Sequence, residues 1–220
     1  MIATIDLEQG LALLEGAGIP LPPGAREKLD AYLALLAKWN NVYNLTAIRE
    51  PEQMITHHVL DALAVLPRLP HVDRLRLLDV GSGGGVPGLP LAIARPGWTV
   101  VLIDSNHKKG AFLQQAAIEL GLSNVETVTA RVEDYGPDAS FDVVISRAFS
   151  DLATFALSSE RHLAPRGRLY AMKGVFPDEE IAQLPATVHM IAAPSLAVPG
   201  LDAQRHLVVM ESVPAVKGGA

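Results

Sequence analysis

The sequence contains no cysteine among its 220 residues, which excludes disulfides and thiolate metal sites and suits a reducing cytosol. No apolar run approaches the length of about 20 residues that a membrane-crossing helix requires, although hydrophobic residues make up 49% of the chain. No basic residue precedes Arg26, and Asp6, Glu8 and Glu15 are acidic. That start is unlike a secretory signal, so a cytoplasmic protein without membrane association is expected. Positive charge is also scarce, with 18 Lys and Arg against 24 Asp and Glu and a formal net charge of −6. The balance argues against a general nucleic-acid binder and leaves room for a local patch, since Lys108, Lys109, Arg131, Arg147, Arg161, Arg166, Arg168 and Lys173 fall in the central half.

Other signatures are missing too. None of Tyr32, Tyr43, Tyr135 or Tyr170 has Lys four residues on, so the Tyr-x-x-x-Lys pair of many dehydrogenases is absent. No Gly-Lys-Ser/Thr follows the glycines and no Gly-x-Ser-x-Gly elbow occurs, which excludes a P-loop and an α/β-hydrolase nucleophile. His57 and His58 are adjacent and point about 100° apart on a helix, and no acid falls at zincin spacing, so no metal site is expected.

What is present is the run Leu77-Leu78-Asp79-Val80-Gly81-Ser82-Gly83-Gly84-Gly85-Val86-Pro87-Gly88, an apolar segment passing through an acid into glycines. It reads as strand, tight turn and helix, with Pro87 in the first helical turn. Glycine suits left-handed backbone and close ligand approach, and the following helix start favours polar or anionic groups. Two registers overlap. Asp79-x-Gly81-x-Gly83-x-Gly85 is the pattern of S-adenosylmethionine enzymes, whereas Gly83-x-Gly85-x-x-Gly88 satisfies the dinucleotide fingerprint. Asp79 favours the first, because an acid there can orient a cationic amine.

The first 70 residues read as helices. Leu29, Tyr32, Leu33, Leu36, Trp39 and Tyr43 form one stripe after Pro22-Pro23-Gly24, and Met54, Ile55, His58, Val59, Ala62, Leu63 and Leu66 form another after Pro51. The polar segment Asn40–Thr46 is expected as the loop between them. From Leu75 the pattern becomes alternating strand and helix, the signature of a parallel sheet covered on both faces. Strands are expected at about Leu75–Val80, Trp98–Asp104, Val125–Ala130, Phe141–Ser146, Arg168–Met172, Val188–Ala192 and His206–Met210. A helix carrying Phe112 to Leu120 ends at Gly121, and another runs from Ser150-Asp151 through Leu163 to a stop at Pro165 and Gly167. Val216–Ala220 reads as a frayed end.

Asp104 closes the second strand 23 positions after Gly81, where nucleotide-binding α/β domains place the acid that accepts from ribose hydroxyls; without a ligand it reads as a helix cap. Glu133, after the third strand, suits an adenine amine or is a solvated loop acid. Arg147 stands at a carboxyl strand end, where a guanidinium can fork onto a carboxylate or phosphate or pair with Asp142 or Asp79. His58 and Asp61 share a helical face and read as a hydrogen-bonded pair.

Several of these segments together resemble the bacterial small-subunit ribosomal RNA guanine-N7 methyltransferases, the glucose-inhibited division protein B family. The resemblance rests on Lys38-Trp39-Asn40, Tyr43-Asn44-Leu45-Thr46-Ala47-Ile48, His58-x-x-Asp61, the run from Leu78 through Pro90, Phe141-Asp142-x-x-x-Ser146-Arg147-Ala148 and Met172-Lys173-Gly174. It covers about residues 25 to 210. Family members often carry Ser where this chain has Ala62. The resemblance implies a class I S-adenosylmethionine-dependent methyltransferase: a Rossmann-like α/β fold with a seven-stranded, mostly parallel sheet over residues 71–220 and a helical cap over residues 1–70. It implies S-adenosylmethionine as cofactor, held by Gly81 and Val86 in the loop, by Asp104 at the ribose, by Val132 and Glu133 at the adenine and by Arg147 near the methionine end. Asp79 and Gly83 complete the expected cofactor set. Tyr43, Asn44, His58, Arg147 and Lys173 are the expected substrate contacts, with Arg147 and Lys173 as positioning groups in place of a catalytic base. The implied substrate is a guanine N7 in 16S ribosomal RNA, within the small subunit or an assembly intermediate, acted on by a monomer. A nicotinamide-dependent oxidoreductase using the same loop and a nucleotide-binding regulator are the alternatives.

Overall fold

The computed structural model describes residues 5–137 and 140–212, so the expected frayed end at Val216–Ala220 lies outside the described residues. The strands are β1 (Arg76–Val80), β2 (Thr99–Asp104), β3 (Val125–Thr129), β4 (Phe141–Arg147), β5 (Leu163–Lys173), β6 (Val188–Ala192) and β7 (His206–Ser212). They form one seven-stranded sheet in the order β3-β2-β1-β4-β5-β7-β6. β7 runs opposite to the other six strands, pairing antiparallel with both β5 and β6. The strand period explains the two faces: Leu77, Val100, Leu102, Val143 and Ile145 belong to one apolar cluster, whereas Leu78, Val80, Val101, Ile103 and Val144 belong to the other. Both faces are covered, which is why these strands read as continuous apolar runs. The chain moves outward from β1 to β3 and then returns to β4 on the other side of β1. The connections leaving β1 and β4 therefore diverge and open a crevice at their carboxyl ends.

The helices are α1 (Leu7–Gly16), α2 (Ala25–Tyr43), α3 (Pro51–Met54), α4 (Asp61–Leu63), α5 (Gly88–Ala94), α6 (His107–Glu119), α7 (Leu152–Ser159) and α8 (Asp178–Ala182). Leu29, Tyr32 and Leu36 of α2 pack in the same cluster as Leu89, Phe112 and Leu113, so the N-terminal helices share a core with the sheet.

Four local expectations need correction. The polar segment Asn40–Thr46 is not all loop, because α2 continues to Tyr43 and ends where Asn44 turns left-handed at φ +50°; asparagine tolerates that conformation and so stops the helix there. Asn40 is buried, with Oδ1 accepting from Thr46 N–H at 2.9 Å and Nδ2 donating to the Ile48 carbonyl at 3.3 Å. The stripe from Met54 to Leu66 is not one α-helix but α3, a π-helical turn over Ile55–Leu60, and α4; such turns frequently accompany functional sites. Pro87 precedes α5 as its N-terminal flanking residue and does not sit in the first turn. Leu163 begins β5 and does not end α7. The register shift between β4 and β5, together with Arg166 at φ +71°, accommodates Pro165 and Gly167 inside a strand.

Candidate functional site

The glycine loop is held from three sides. Gly81, Gly83 and Gly85 adopt φ +72°, +57° and +84°. The Gly81 and Ser82 amides both donate to the Ile103 carbonyl, at 2.9 and 3.1 Å. Asp104 Oδ2 accepts from Gly83 N–H at 2.9 Å and Oδ1 from Asn106 N–H at 2.9 Å. Asn106, not Asp104, caps α6 with its side chain, so the helix-cap alternative for Asp104 does not hold. From the N-terminal helices, the buried Tyr32 hydroxyl donates to the Gly84 carbonyl at 2.7 Å. Beneath the loop, Asp79 is fully buried; Oδ2 accepts from Gly88 N–H at 2.9 Å while Oδ1 has no hydrogen-bond partner among the described residues.

Two cavities open at this edge. One of about 150 Å³ is lined by Gly81, Asp104, Arg131, Val132, Glu133 and Phe149, among others. The second, of about 190 Å³, is lined by Thr46, His58, Gly81, Gly83, Lys109, Arg147 and Ala148, among others. Gly81 belongs to both, and a Cβ built on it meets nothing within 4 Å, because the space in front of it is the crevice. The first cavity has a carboxylate at a strand end and an acid opposite, as a nucleoside requires.

Arg147 organises the second cavity. Its Nη1 donates to the His57 carbonyl and lies 3.3 Å from Asp61 Oδ2, while Nη2 lies 3.2 Å from His58 Nδ1. Asp61, 2% exposed, also accepts from Arg205 Nε at 3.1 Å. His58 and Asp61 therefore meet through Arg147 and not each other, and the arginine's partner is neither Asp79 nor Asp142, which instead accepts from the Arg76 amide. Burial, followed by the Arg147 charge, pushes His58 down to about 3, leaving it neutral.

The structure thus brings Gly81, Asp104, Val132 and Glu133 together in one cavity, and Gly83, Val86, His58 and Arg147 in the other. Asp79 lines neither, lying behind the loop as its clamp. Lys173 is also outside both, because its ammonium is paired with Glu180 at 2.7 Å. Tyr43 is not part of the core stripe: it is 41% exposed, beside Trp39 at 5.3 Å between ring centroids and beneath Lys108 at 5.9 Å. Asn44 is exposed, with Oδ1 accepting from Arg49 at 2.8 Å. Lys109, one of the cations expected for a local patch, lines the second cavity, whereas Thr46, Ala148 and Phe149 were not singled out as site residues. Ala148 adopts φ +60°, a strain that sequence does not advertise, whereas Thr46 sat unweighed inside a recognised segment. Among the described residues no cluster of three or more His, Asp or Glu could hold a metal ion, and no helix is long and apolar enough to cross a membrane.

The chain matches the family described as GidB, rRNA small subunit methyltransferase G, over residues 25–208. The chain belongs to that family. Proteins named Ribosomal RNA small subunit methyltransferase G from Nitrosospira multiformis and Laribacter hongkongensis are each 54% identical to it, over 94% and 92% of this chain and 96% and 95% of theirs. Among solved structures, the glycopeptide N-methyltransferase MtfA complexed with S-adenosyl-L-methionine is 15% identical, with a TM-score of 0.60 over 71% of this chain and 95% of that one. TrmN from Thermus thermophilus is 18% identical, with a TM-score of 0.52 over 72% and 53%. These two likenesses show the class I methyltransferase fold alone. The family assignment gives the nicotinamide alternative no support.

Two outcomes follow from the loop. In Gly81→Ala, the left-handed φ costs roughly 1–2 kcal/mol of stability, while the added methyl enters the crevice and weakens nucleoside binding much further. In Asp104→Ala the Gly83 and Asn106 amides lose their acceptor, and S-adenosylhomocysteine affinity falls about tenfold. Calorimetry measures both, and parental affinity in Asp104→Ala would show that the carboxylate only ties the loop.

The buried carboxyl of Asp79 makes a pH prediction. Burial raises it from 3.8 to about 7, so the folded state holds a proton that the unfolded chain releases. Its contribution is fully present below pH 3.8 and is lost as pH rises through 7; His58, depressed from 6.5 to about 3, contributes above 6.5 and loses that contribution as pH falls. The two oppose one another in the parent. Asp79→Asn removes one side, so on lowering pH from 7 to 5 this variant loses about 2 kcal/mol relative to the parent. Urea unfolding at both pH values tests this, and parallel profiles would contradict it.

Proposed function

We propose that the protein transfers a methyl group from S-adenosylmethionine to N7 of a specific guanine in small-subunit ribosomal RNA. The observation that carries this reading is the pair of cavities joined at Gly81, one suited to a nucleoside and the other to the methionine end with a polar base beside it, on a fold of the matching family. The cradle suits the cofactor: Gly81 leaves open the space a side chain would fill, Asp104 can accept from ribose hydroxyls, and Val132 and Glu133 can flank the adenine. When bound there, S-adenosylmethionine supplies an electrophilic methyl on a sulfonium. Gly81, Gly83 and Val86 border the methionine side, with Arg147 and Lys109 supplying positive charge for a carboxylate. The residues at the second cavity position the base and exclude water. Guanine N7 carries its lone pair at neutral pH and releases no proton from the attacking atom, so His58, held neutral and occupied on both ring nitrogens, has no base role to perform.

The RNA is held by a small patch. Lys108, Lys109 and Arg147 supply charge, and the exposed Tyr43 ring offers a face for an unstacked base. An acidic chain with so few cations makes few phosphate contacts, consistent with a monomer acting on RNA within the small subunit or an assembly intermediate. Tyr43→Ala is accordingly expected to weaken rRNA binding about tenfold, at the scale of one base stack, while unfolding shifts by less than about 1 kcal/mol because the ring is largely outside the core. Filter binding and thermal melts separate the two; a large stability loss with unchanged RNA affinity would place recognition elsewhere. The function itself is tested by mapping N7-methylguanine in small-subunit rRNA from cells lacking the gene. One guanine should lose its methyl group and regain it with purified protein and S-adenosylmethionine, and an unchanged RNA would refute the assignment.

A further inference from the structure

We propose that Thr46 is a specificity-determining residue that reads the purine, donating its hydroxyl proton to O6 of the target guanine beside the methylated N7. The inference rests on the function proposed above and follows a chain of forced hydrogen-bond directions. A guanidinium only donates, so Arg147 Nη2, 3.2 Å from His58 Nδ1, makes that nitrogen the acceptor. His58 is 1% exposed and faces the Arg147 cation, and is therefore neutral with its proton on Nε2. Nε2 lies 3.1 Å from Thr46 Oγ1 and donates to it. The Ile48 amide donates to the same oxygen at 3.2 Å. Both acceptor positions of Oγ1 are then filled, and its own proton finds no acceptor among the described residues. The segment cannot swing away to find one, because the Thr46 amide is fixed on the buried Asn40 Oδ1 at 2.9 Å.

Thr46 therefore presents an obligate donor to the cavity it lines with His58, Gly83, Lys109 and Arg147. Guanine offers two acceptors side by side on its Hoogsteen edge, N7 and O6; adenine offers N7 beside an amino donor. A hydroxyl whose lone pairs are both taken can pair with O6 and cannot accept from the adenine amine. Arg147 thus acts on base choice through His58, as a positioning residue that fixes the tautomer.

The test is a cycle on both partners. Small-subunit rRNA is assembled by ligation with guanine or 2-aminopurine, which lacks O6, at the position the protein methylates, and binding without cofactor is measured for the parent, Thr46→Val and Thr46→Ser. For the parent and Thr46→Ser, removal of O6 should weaken binding about tenfold, as expected for one lost hydrogen bond to a half-buried donor. For Thr46→Val, whose melting is checked in parallel, guanine and 2-aminopurine should bind alike. A parent protein indifferent to O6, or a Thr46→Val variant that still loses tenfold on its removal, overturns the inference. If no guanine in the rRNA is methylated by the parent, the functional reading has failed instead, and the two failures are distinguishable.

Discussion

Gly88→Ala should lower the stability of this protein by roughly 2–3 kcal/mol, the scale of an overpacked core combined with a broken buried hydrogen bond. The residue opens α5 at the floor of the glycine loop, and its amide donates to Asp79 Oδ2 at 2.9 Å. A Cβ there would press into the Leu102 side chain and lie 2.7 Å from Asp79 Oδ2. Neither neighbour has room to retreat, since Leu102 and Asp79 are both fully buried in the central strands. The methyl group must therefore rotate the carboxylate off the amide or push α5 outward, and either movement carries the loop with it. Cofactor affinity falls with stability. Gly16→Ala is the control, because a Cβ on Gly16 meets nothing within 4 Å and alanine favours a helix over glycine. Urea unfolding of the two variants is decisive: if they unfold alike, the crowding at Gly88 is relieved more cheaply than the packing indicates.

Arg147→Ala should reduce methyl transfer by more than about 100-fold, as expected when a reacting base loses its positioning. The guanidinium ties the π-helical turn to the end of β4 through the His57 carbonyl, His58 Nδ1 and Asp61 Oδ2. Its loss leaves Asp61, 2% exposed, with Arg205 as its one remaining cation among the described residues. Removing one partner of a buried ion pair costs several kcal/mol; because the Arg147 side chain is 25% exposed, about 2 kcal/mol is expected. Arg147→Lys should restore little activity, since a single ammonium cannot reproduce a planar fork onto three acceptors. Activity within threefold of the parent, at parental stability, would remove Arg147 from the site. Comparing S-adenosylhomocysteine affinity in the same variants separates loss of the methionine end from loss of base positioning.

The sequence by itself determined the sheet and the half of the site that lies on it. Strand identity is written in short apolar runs whose alternate residues feed two faces, so β1, β2 and β4 were readable to within a residue or so. That Gly81, Asp104 and Glu133 border one cavity was equally readable, because each sits at a short offset from the carboxyl end of a strand, whereas Val132 was reached only through the family resemblance. The tertiary structure alone decided the other half. Lys173 looked like a free cation until the fold brought Glu180 to 2.7 Å. Asn40 looked like a loop residue until burial made it the tie for Thr46. Arg147 found Asp61 and His58, 86 and 89 residues away, where sequence suggested nearer acids. These outcomes depend on which polar groups meet across long separations in space, and periodicity carries no information about that. The left-handed Ala148 and the π-helical turn belong to the same class, since both run against local backbone preference and are held in place only by the packing around them.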